Sequence, residues 1–166
     1  MSPPAPPGAV RALLLTALTA LAVGRAAGAA DAPAYPRGAS AFQANCAVCH
    51  GAEGRGISSL APPLLSYPAH YAASAEGRRQ LAMTVLFGLF GDITVGEQHY
   101  NFKMPDFARL DDATLAATLN YVAFDLAHAD STIKPLAPED IAAERARPLD
   151  GTAVRAHRKS LAAGGS

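Results

Sequence analysis

Two cysteines and a histidine lie within five consecutive residues, Cys46-Ala47-Val48-Cys49-His50. Two thiols three positions apart on a helical turn can each add to one vinyl group of the same porphyrin and form thioether bonds. The adjacent histidine is then held beneath the ring, where its imidazole can ligate the iron. This Cys-x-x-Cys-His pattern therefore predicts one covalently attached haem c, with Cys46 and Cys49 as attachment sites and His50 as an iron ligand.

Two other functions of the cysteine pair remain open at this point. In an oxidising compartment the two thiols could form a disulfide, and a Cys-x-x-Cys pair can also be a thiol redox motif. A thioredoxin-like motif needs a preceding strand within a βαβ pattern, whereas residues 38–45 are typical of a helix. Phe42, Cys46 and Cys49 have the i, i+4 and i+7 spacing of one helical face. The pattern favours haem attachment.

A haem iron bound by one histidine has a second axial position, so a second ligand is expected. Met83 lies in an apolar helix, where methionine is more typical of core packing. Met104 precedes Pro105, which biases the residue before it toward an extended backbone. We expect Met104 to lie in a loop and to reach the ring face opposite His50. The other histidines are weaker candidates: His70 and His99 as replacements, and His128 and His157, which we expect to be solvated.

The predicted elements around these residues are helices joined by irregular segments. Apolar spacing predicts helices over residues 76–90 and 112–128. Residues 51–71 are rich in Gly, Pro and Ser and predict irregular chain, and residues 91–104 are predicted as a second loop. Because no alternating run is long enough to indicate a sheet, the predicted fold class is all-α.

Length and composition exclude several classes of protein. The chain has 166 residues, of which half are hydrophobic, with 14 basic and 14 acidic side chains and two cysteines. This length suits one domain, and the apolar content excludes a disordered chain. The formal charge of zero excludes a strongly basic nucleic-acid-binding protein. Two cysteines are too few for a small disulfide-stapled scaffold.

Residues 1–30 are predicted to be a signal peptide. A run of apolar residues and threonines, Ala12 to Val23, follows Arg11, and small residues suited to cleavage occupy positions 26–30. Twelve helical residues span only ~18 Å, less than the ~30 Å hydrocarbon core of a bilayer. The alternative, an uncleaved membrane anchor, is therefore disfavoured. We expect export to the periplasm and a mature protein that begins near Asp31.

The order of these motifs resembles that of class I (mitochondrial-type) cytochromes c, in their bacterial exported monohaem branch. The resemblance covers about residues 38–128: an amphipathic helix, the attachment motif with Gly51, Pro62-x-Leu64, Met104-Pro105 and a terminal amphipathic helix. The segment from Gly96 to Phe107 is similar to the Gly…Tyr…Met-Pro-x-Phe segment of the family. The resemblance implies three to five helices around one covalently bound haem c.

The resemblance also implies roles for individual residues. The carbonyl of Pro62 would accept a hydrogen bond from the ring nitrogen of His50 that does not bind iron. An ordinary loop proline is the alternative. The other implied contacts are Leu64 with the haem edge, Tyr100 and Arg55 with the haem propionates, and Phe42 with Tyr121 where the first and last helices cross.

The predicted organisation is a signal peptide, a cytochrome c domain over residues 31–128 and a C-terminal extension over residues 129–166. Prolines at 135 and 138 mark a linker at the start of the extension, and two short helices are predicted after it. We expect the extension to pack on the domain. A docking element for a redox partner is the alternative.

The predicted function follows from the proposed ligands. With His50 and Met104 both bound, the iron has no open position for a substrate, and one-electron exchange through the haem edge remains. The chain is therefore predicted to carry electrons between periplasmic redox proteins (a dehydrogenase, reductase or oxidase), with no nucleic-acid partner and no membrane anchor. The alternatives are the haem subunit of a larger dehydrogenase or reductase, and a peroxidase-like enzyme in which Met104 leaves the iron.

Overall fold

A computed structural model describes residues 1–3 and 32–164 of the chain, with side chains through residue 161. The predicted signal peptide and its cleavage site near Asp31 lie outside the described residues, apart from residues 1–3. The elements in chain order are α1 (Pro36–Asn45), α2 (Ala47–His50), α3 (Tyr67–Ala72), α4 (Ala75–Phe87), β1 (Leu89–Val95), β2 (Gln98–Met104), α5 (Asp112–Asn120), a π-helical segment (Tyr121–Leu126), α6 (Pro138–Arg145) and α7 (Gly151–Gly164). Within the ranges that the structure describes, none of these helices has the length and apolarity to cross a membrane.

The prediction of an all-α fold is wrong for residues 89–104, which form an antiparallel hairpin. Strands β1 and β2 pair from Leu89 with Met104 at the open end to Val95 with Gln98 at the turn. One face of β2 carries Tyr100 and the apolar residues two and four positions later, and the other face carries polar residues. This alternation of apolar and polar residues is the sequence pattern that indicates a strand. It spans only seven residues, so a loop was predicted instead.

Helices α1 and α5 cross at close range. A Cβ atom on Gly38 would lie 2.0 Å from the carbonyl oxygen of Ala117, so only glycine allows the two backbones to approach this closely. One turn further along, the rings of Phe42 and Tyr121 meet with their centroids 5.5 Å apart. This is the helix crossing that the family resemblance implied for these two residues.

Helices α4 and α5 begin at side-chain caps. The Ser74 hydroxyl accepts a hydrogen bond from the N–H of Gly77 at 3.0 Å, and the Asp111 carboxylate accepts one from the N–H of Thr114 at 2.7 Å. Each cap satisfies a backbone donor that has no partner within its own helix. Helix α5 then continues into the π-helical segment, in place of one regular helix over residues 112–128. Apolar side chains of α4 and α5 form the main core.

The C-terminal extension packs against this core. Ile141 of α6 is fully buried in the same apolar cluster as residues of α4 and α5, and Val154 of α7 is fully buried against Met83 and Leu89. The segment before α6 is also held, because the Asn120 amide bonds both backbone groups of Leu136 at 2.9 and 2.8 Å. Both helices of the extension therefore contribute to the interior of the folded unit.

Candidate cofactor site

A large apolar cavity lies between the attachment motif, α4 and the hairpin. Its empty volume, measured out to its open mouth, is about 1020 Å³. Its walls are almost entirely apolar, as the walls of cofactor sites usually are. Cys46, Cys49 and His50 line it together with Leu64 and Met104. The chain thus brings a thiol pair, an imidazole and a thioether to one apolar space.

The orientation of His50 is set by a loop twelve residues later in the chain. Its Nδ1 atom lies 2.9 Å from the carbonyl oxygen of Pro62. A carbonyl can only accept, so Nδ1 carries the hydrogen and Nε2 keeps its lone pair, as a metal ligand must. Burial lowers the pKa of His50, and the hydrogen bond to Pro62 opposes this effect. Burial therefore favours the neutral imidazole, which is the form that binds metals.

Backbone hydrogen bonds hold the loop that carries Pro62 against the end of α2. The N–H of Gly56 donates to the carbonyl of His50 at 2.7 Å, and the N–H of Leu64 donates to the carbonyl of Gly54 at 2.7 Å. Gly56 also lies so close to this loop that a Cβ atom there would approach the carbonyl carbon of Pro62 to 2.8 Å. The Pro62 carbonyl is thus positioned by main-chain contacts on both sides.

Cys46 and Cys49 are not joined by a disulfide in the structure, so both sulfur atoms are available for thioether bonds. Burial, and to a smaller extent the neighbouring Cys49, raises the pKa of Cys46 to about 11. Redox-active cysteines have lowered pKa values, because the thiolate is the reactive form. The environment of Cys46 raises its pKa instead, which disfavours a thiol redox motif.

Met104 is the last residue of β2, so the expectation that it lies in a loop is wrong. The residue lies beside Leu89 in the strand register, is partly buried and lines the cavity. Pro105 follows at the point where the strand ends, since proline cannot donate to the sheet. The weaker candidates do not line the cavity: Met83 is fully buried in the core, and His70, His99 and His128 are exposed.

Tyr100 and Arg55 have different surroundings, although both were expected near haem propionates. Tyr100 is buried at the cavity wall, and its hydroxyl donates to Gln98 Oε1 at 2.9 Å. Arg55 is exposed, forms an ion pair with Glu53 at 2.7 Å and lines a separate polar cleft that Tyr100 also borders. Tyr100 thus lies at the cavity, and Arg55 lies outside it.

Helix α7 also contributes to this site, which was not predicted from the sequence. The guanidinium carbon of Arg158 lies 5.2 Å from the ring centroid of Tyr67 and 5.5 Å from that of Tyr71. All three residues line the cavity. The sequence carries a weak indication that residue 158 faces the core. Val154 and Leu161 are seven residues apart, and position 158 falls on the same helical face.

The preceding residue of α7 also faces inward. His157 Nδ1 lies 2.8 Å from Oε1 of Gln80, a buried side chain of the cavity wall. The expectation that His157 is solvated is therefore wrong. The physical reason is the packing of α7 against α4, which places residue 157 beside an amide 77 positions earlier in the chain.

Comparisons with known proteins agree with this geometry. Residues 35–123 match the family described as Cytochrome c. The chain is 38% identical over 120 residues to cytochrome c-552 of Thermus thermophilus, an alignment that covers 71% of this chain and 92% of the relative. It is also 38% identical over 120 residues to the cytochrome c-552 of a particular strain of Thermus thermophilus, where the alignment covers 71% of this chain and 81% of the relative.

Proposed function

Because the chain belongs to the cytochrome c family, it carries a covalently attached haem c and transfers electrons, and we propose that His50 and Met104 are the axial ligands. The observation that carries this proposal is the lining of the cavity. Among the described residues that line it, His50 is the one imidazole and Met104 the one thioether. Both are therefore available to the same bound group.

The other residues of the site act on these two ligands. Pro62 holds the imidazole of His50 in one plane through the bond to Nδ1 and leaves Nε2 free for iron. The strand that ends at Met104 is paired along its length with β1, so the backbone that carries the thioether is held by a ladder of hydrogen bonds. Apolar side chains surround both ligands.

A haem with histidine and methionine ligands exchanges single electrons at a raised reduction potential, because the soft thioether favours ferrous iron. The lining of the cavity agrees with this function better than with peroxidase-like catalysis. Catalysis of that kind uses an acid–base group, most often an imidazole or a carboxylate. Within the described lining, the charged and imidazole side chains are Arg158 and His50.

We further propose that the protein is exported to the periplasm and exchanges electrons with redox proteins there. The apolar run after Arg11 and the small residues before Asp31 support export. The buried apolar side chains of α6 and α7 support an independent carrier, because the extension covers its own domain. In the haem subunit of a larger complex, an extension that served as the interface would leave such side chains exposed.

The ligation is tested by spectroscopy of the mature protein. We expect the ferric protein to show a methionine-to-iron absorption band at the red edge of the visible spectrum, and the ferrous protein to bind carbon monoxide hardly at all. Rapid carbon monoxide binding without that band would show an open iron position. The peroxidase-like alternative would then replace the electron carrier.

A further inference from the structure

We infer that Arg158 of α7 binds a propionate carboxylate of the haem, so that the C-terminal extension forms part of the cofactor site. This inference rests on the proposed function in that haem occupies the cavity, but it does not depend on Met104 as a ligand. Arg158 lies beyond residues 35–123, which match the family. The role therefore falls to a residue outside the part of the chain that matches the family.

The charge of the cavity wall is the first argument. Arg158 is the one Lys, Arg, Asp or Glu side chain among the described residues that line the cavity. The two propionates are the anionic groups of a haem. A cation that faces an apolar space is costly unless a counter-charge is near, and the Coulomb attraction of such a pair is stronger there than in water. A propionate would supply that counter-charge.

The second argument is that Arg158 has no carboxylate partner among the described residues. Arg37, Arg78 and Arg79 each lie within 4.0 Å of a carboxylate oxygen. Arg145 does so as well. Within the part of the chain that the structure describes, Arg109, Arg155 and Arg158 have no carboxylate at that distance, and Arg158 is the one of the three that lines the cavity. A guanidinium is well suited to bind a carboxylate through two parallel hydrogen bonds, so the capacity of Arg158 for an anion is unused by the protein.

The positioning of the guanidinium is the third argument. One Nη atom donates to the hydroxyl oxygen of Tyr71, and the other lies 3.4 Å from the carbonyl oxygen of Thr94. These contacts use two of the five N–H groups of an arginine. The ring of Tyr67 packs against the guanidinium and limits its movement. Arg158 is thus held at the cavity wall with N–H donors that have no partner in the described ranges, and the Tyr71 hydroxyl, which accepts from Arg158, keeps its own proton to donate.

The consequence concerns the reduction potential. Ferric haem carries one more positive charge than ferrous haem, so a nearby cation favours the ferrous state. Arg158 also neutralises a propionate that would otherwise favour the ferric state. Removal of this cation should therefore lower the midpoint potential without changing either axial ligand. A role limited to packing would not depend on the charge at position 158.

The test compares Arg158→Gln, Arg158→Lys and Lys159→Gln in the mature haem-containing protein. Lys159 is exposed, so its replacement removes the same charge from the same helix without touching the cavity. For Arg158→Gln we expect the ratio of ferric to ferrous protein at a fixed ambient potential to rise about tenfold, which equals ~59 mV for one electron. Arg158→Lys should recover most of the loss, and Lys159→Gln should match the parent.

Two results would overturn the inference. One is a potential for Arg158→Gln equal to that of Lys159→Gln. The other is an equal fall for the Gln and Lys variants together with loss of the methionine-to-iron band, which would indicate a structural role alone. If Arg158→Gln does not fold, Tyr71→Phe provides a milder test and should shift the potential in the same direction by less. A parent that lacks the methionine band would contradict the proposed ligation, and the potential comparison would still test Arg158.

Discussion

The Nδ1 atom of His50 lies 2.9 Å from the carbonyl oxygen of Pro62. This one contact decides which ring nitrogen carries hydrogen, and so which nitrogen is left for a metal. It depends on the loop between the two residues, which is held close to His50 because the N–H of Gly56 donates to the His50 carbonyl. The imidazole of His50 is therefore oriented by main-chain atoms, which side-chain substitutions do not remove directly.

Gly56→Ala should destabilise the protein strongly. Gly56 has a φ of +76°, and a Cβ atom there would lie 2.7 Å from the Ala61 carbonyl oxygen and the Pro63 nitrogen. The strained φ alone costs ~1–2 kcal/mol, and displacement of the loop adds to this cost. Gly96→Ala is the matched control, because its φ is +60° and no atom lies within 4 Å of the added carbon. Denaturant unfolding of both variants measures the difference, and equal losses would contradict the role of the loop.

Met104→Ala should open one face of the haem while the thioether bonds and His50 remain. The reduction potential should fall, on the order of 0.1 V or more within the ~0.8 V range that axial ligands span. The ferrous variant should bind carbon monoxide quickly. Met83→Leu is the control, since Met83 is buried in the apolar cluster that packs against Met104 but does not itself line the cavity, and this volume-conserving change should keep the parent spectrum. A parent that binds carbon monoxide as fast as Met104→Ala would exclude Met104 as a ligand.

Ile141→Ala should lower the free energy of unfolding by ~2–5 kcal/mol, because it leaves a cavity in the main core. Ile141 is fully buried, whereas Leu149, also in the extension, is 42% exposed. Leu149→Ala should change the stability by less than about 0.5 kcal/mol. Thermal unfolding monitored by the haem absorption would compare the two. Similar melting temperatures for both variants would mean that the extension unfolds separately from the domain.

Replacement of both Cys46 and Cys49 by alanine should abolish covalent haem attachment and cooperative folding. Without haem, the apolar walls of the central cavity would be left without a partner. Val48→Ala is the matched control within the motif, since Val48 is 77% exposed. It should retain haem and melt like the parent. Calorimetry that showed a cooperative transition for the double variant would count against a haem-centred core.

The N-terminal segment, residues 1–30, should be removed by cleavage during export. The mature protein should be found outside the cytoplasm and begin near Asp31, because the apolar run from Ala12 to Val23 is too short to span a bilayer. Leu14→Asp places a charge in that run and should block export. N-terminal sequencing of the exported protein gives the cleavage site directly. Retention of Met1 would exclude cleavage of a signal peptide.

The amino-acid sequence by itself was sufficient to predict that haem is attached covalently and at which residues. Cys46, Cys49 and His50 act through a local helical spacing, so five consecutive residues indicate both the cofactor and the first iron ligand. Local signals of the same kind predicted most of the helices, since apolar residues at helical spacing need no distant partner to be recognised. Met104 was selected as the second ligand from its neighbour Pro105, although its strand was not foreseen.

The tertiary structure alone decided which distant residues complete the cavity. The hairpin covers one side of the site with Ile93, Tyr100 and Phe102, but each of its strands has only seven residues and gave too short an alternation to predict. Arg158 contacts the hydroxyl of Tyr71 across 87 residues of sequence. Such contacts arise when helices pack, and packing depends on the shapes of several elements at once. For that physical reason the role of the C-terminal extension could be inferred only from the folded chain.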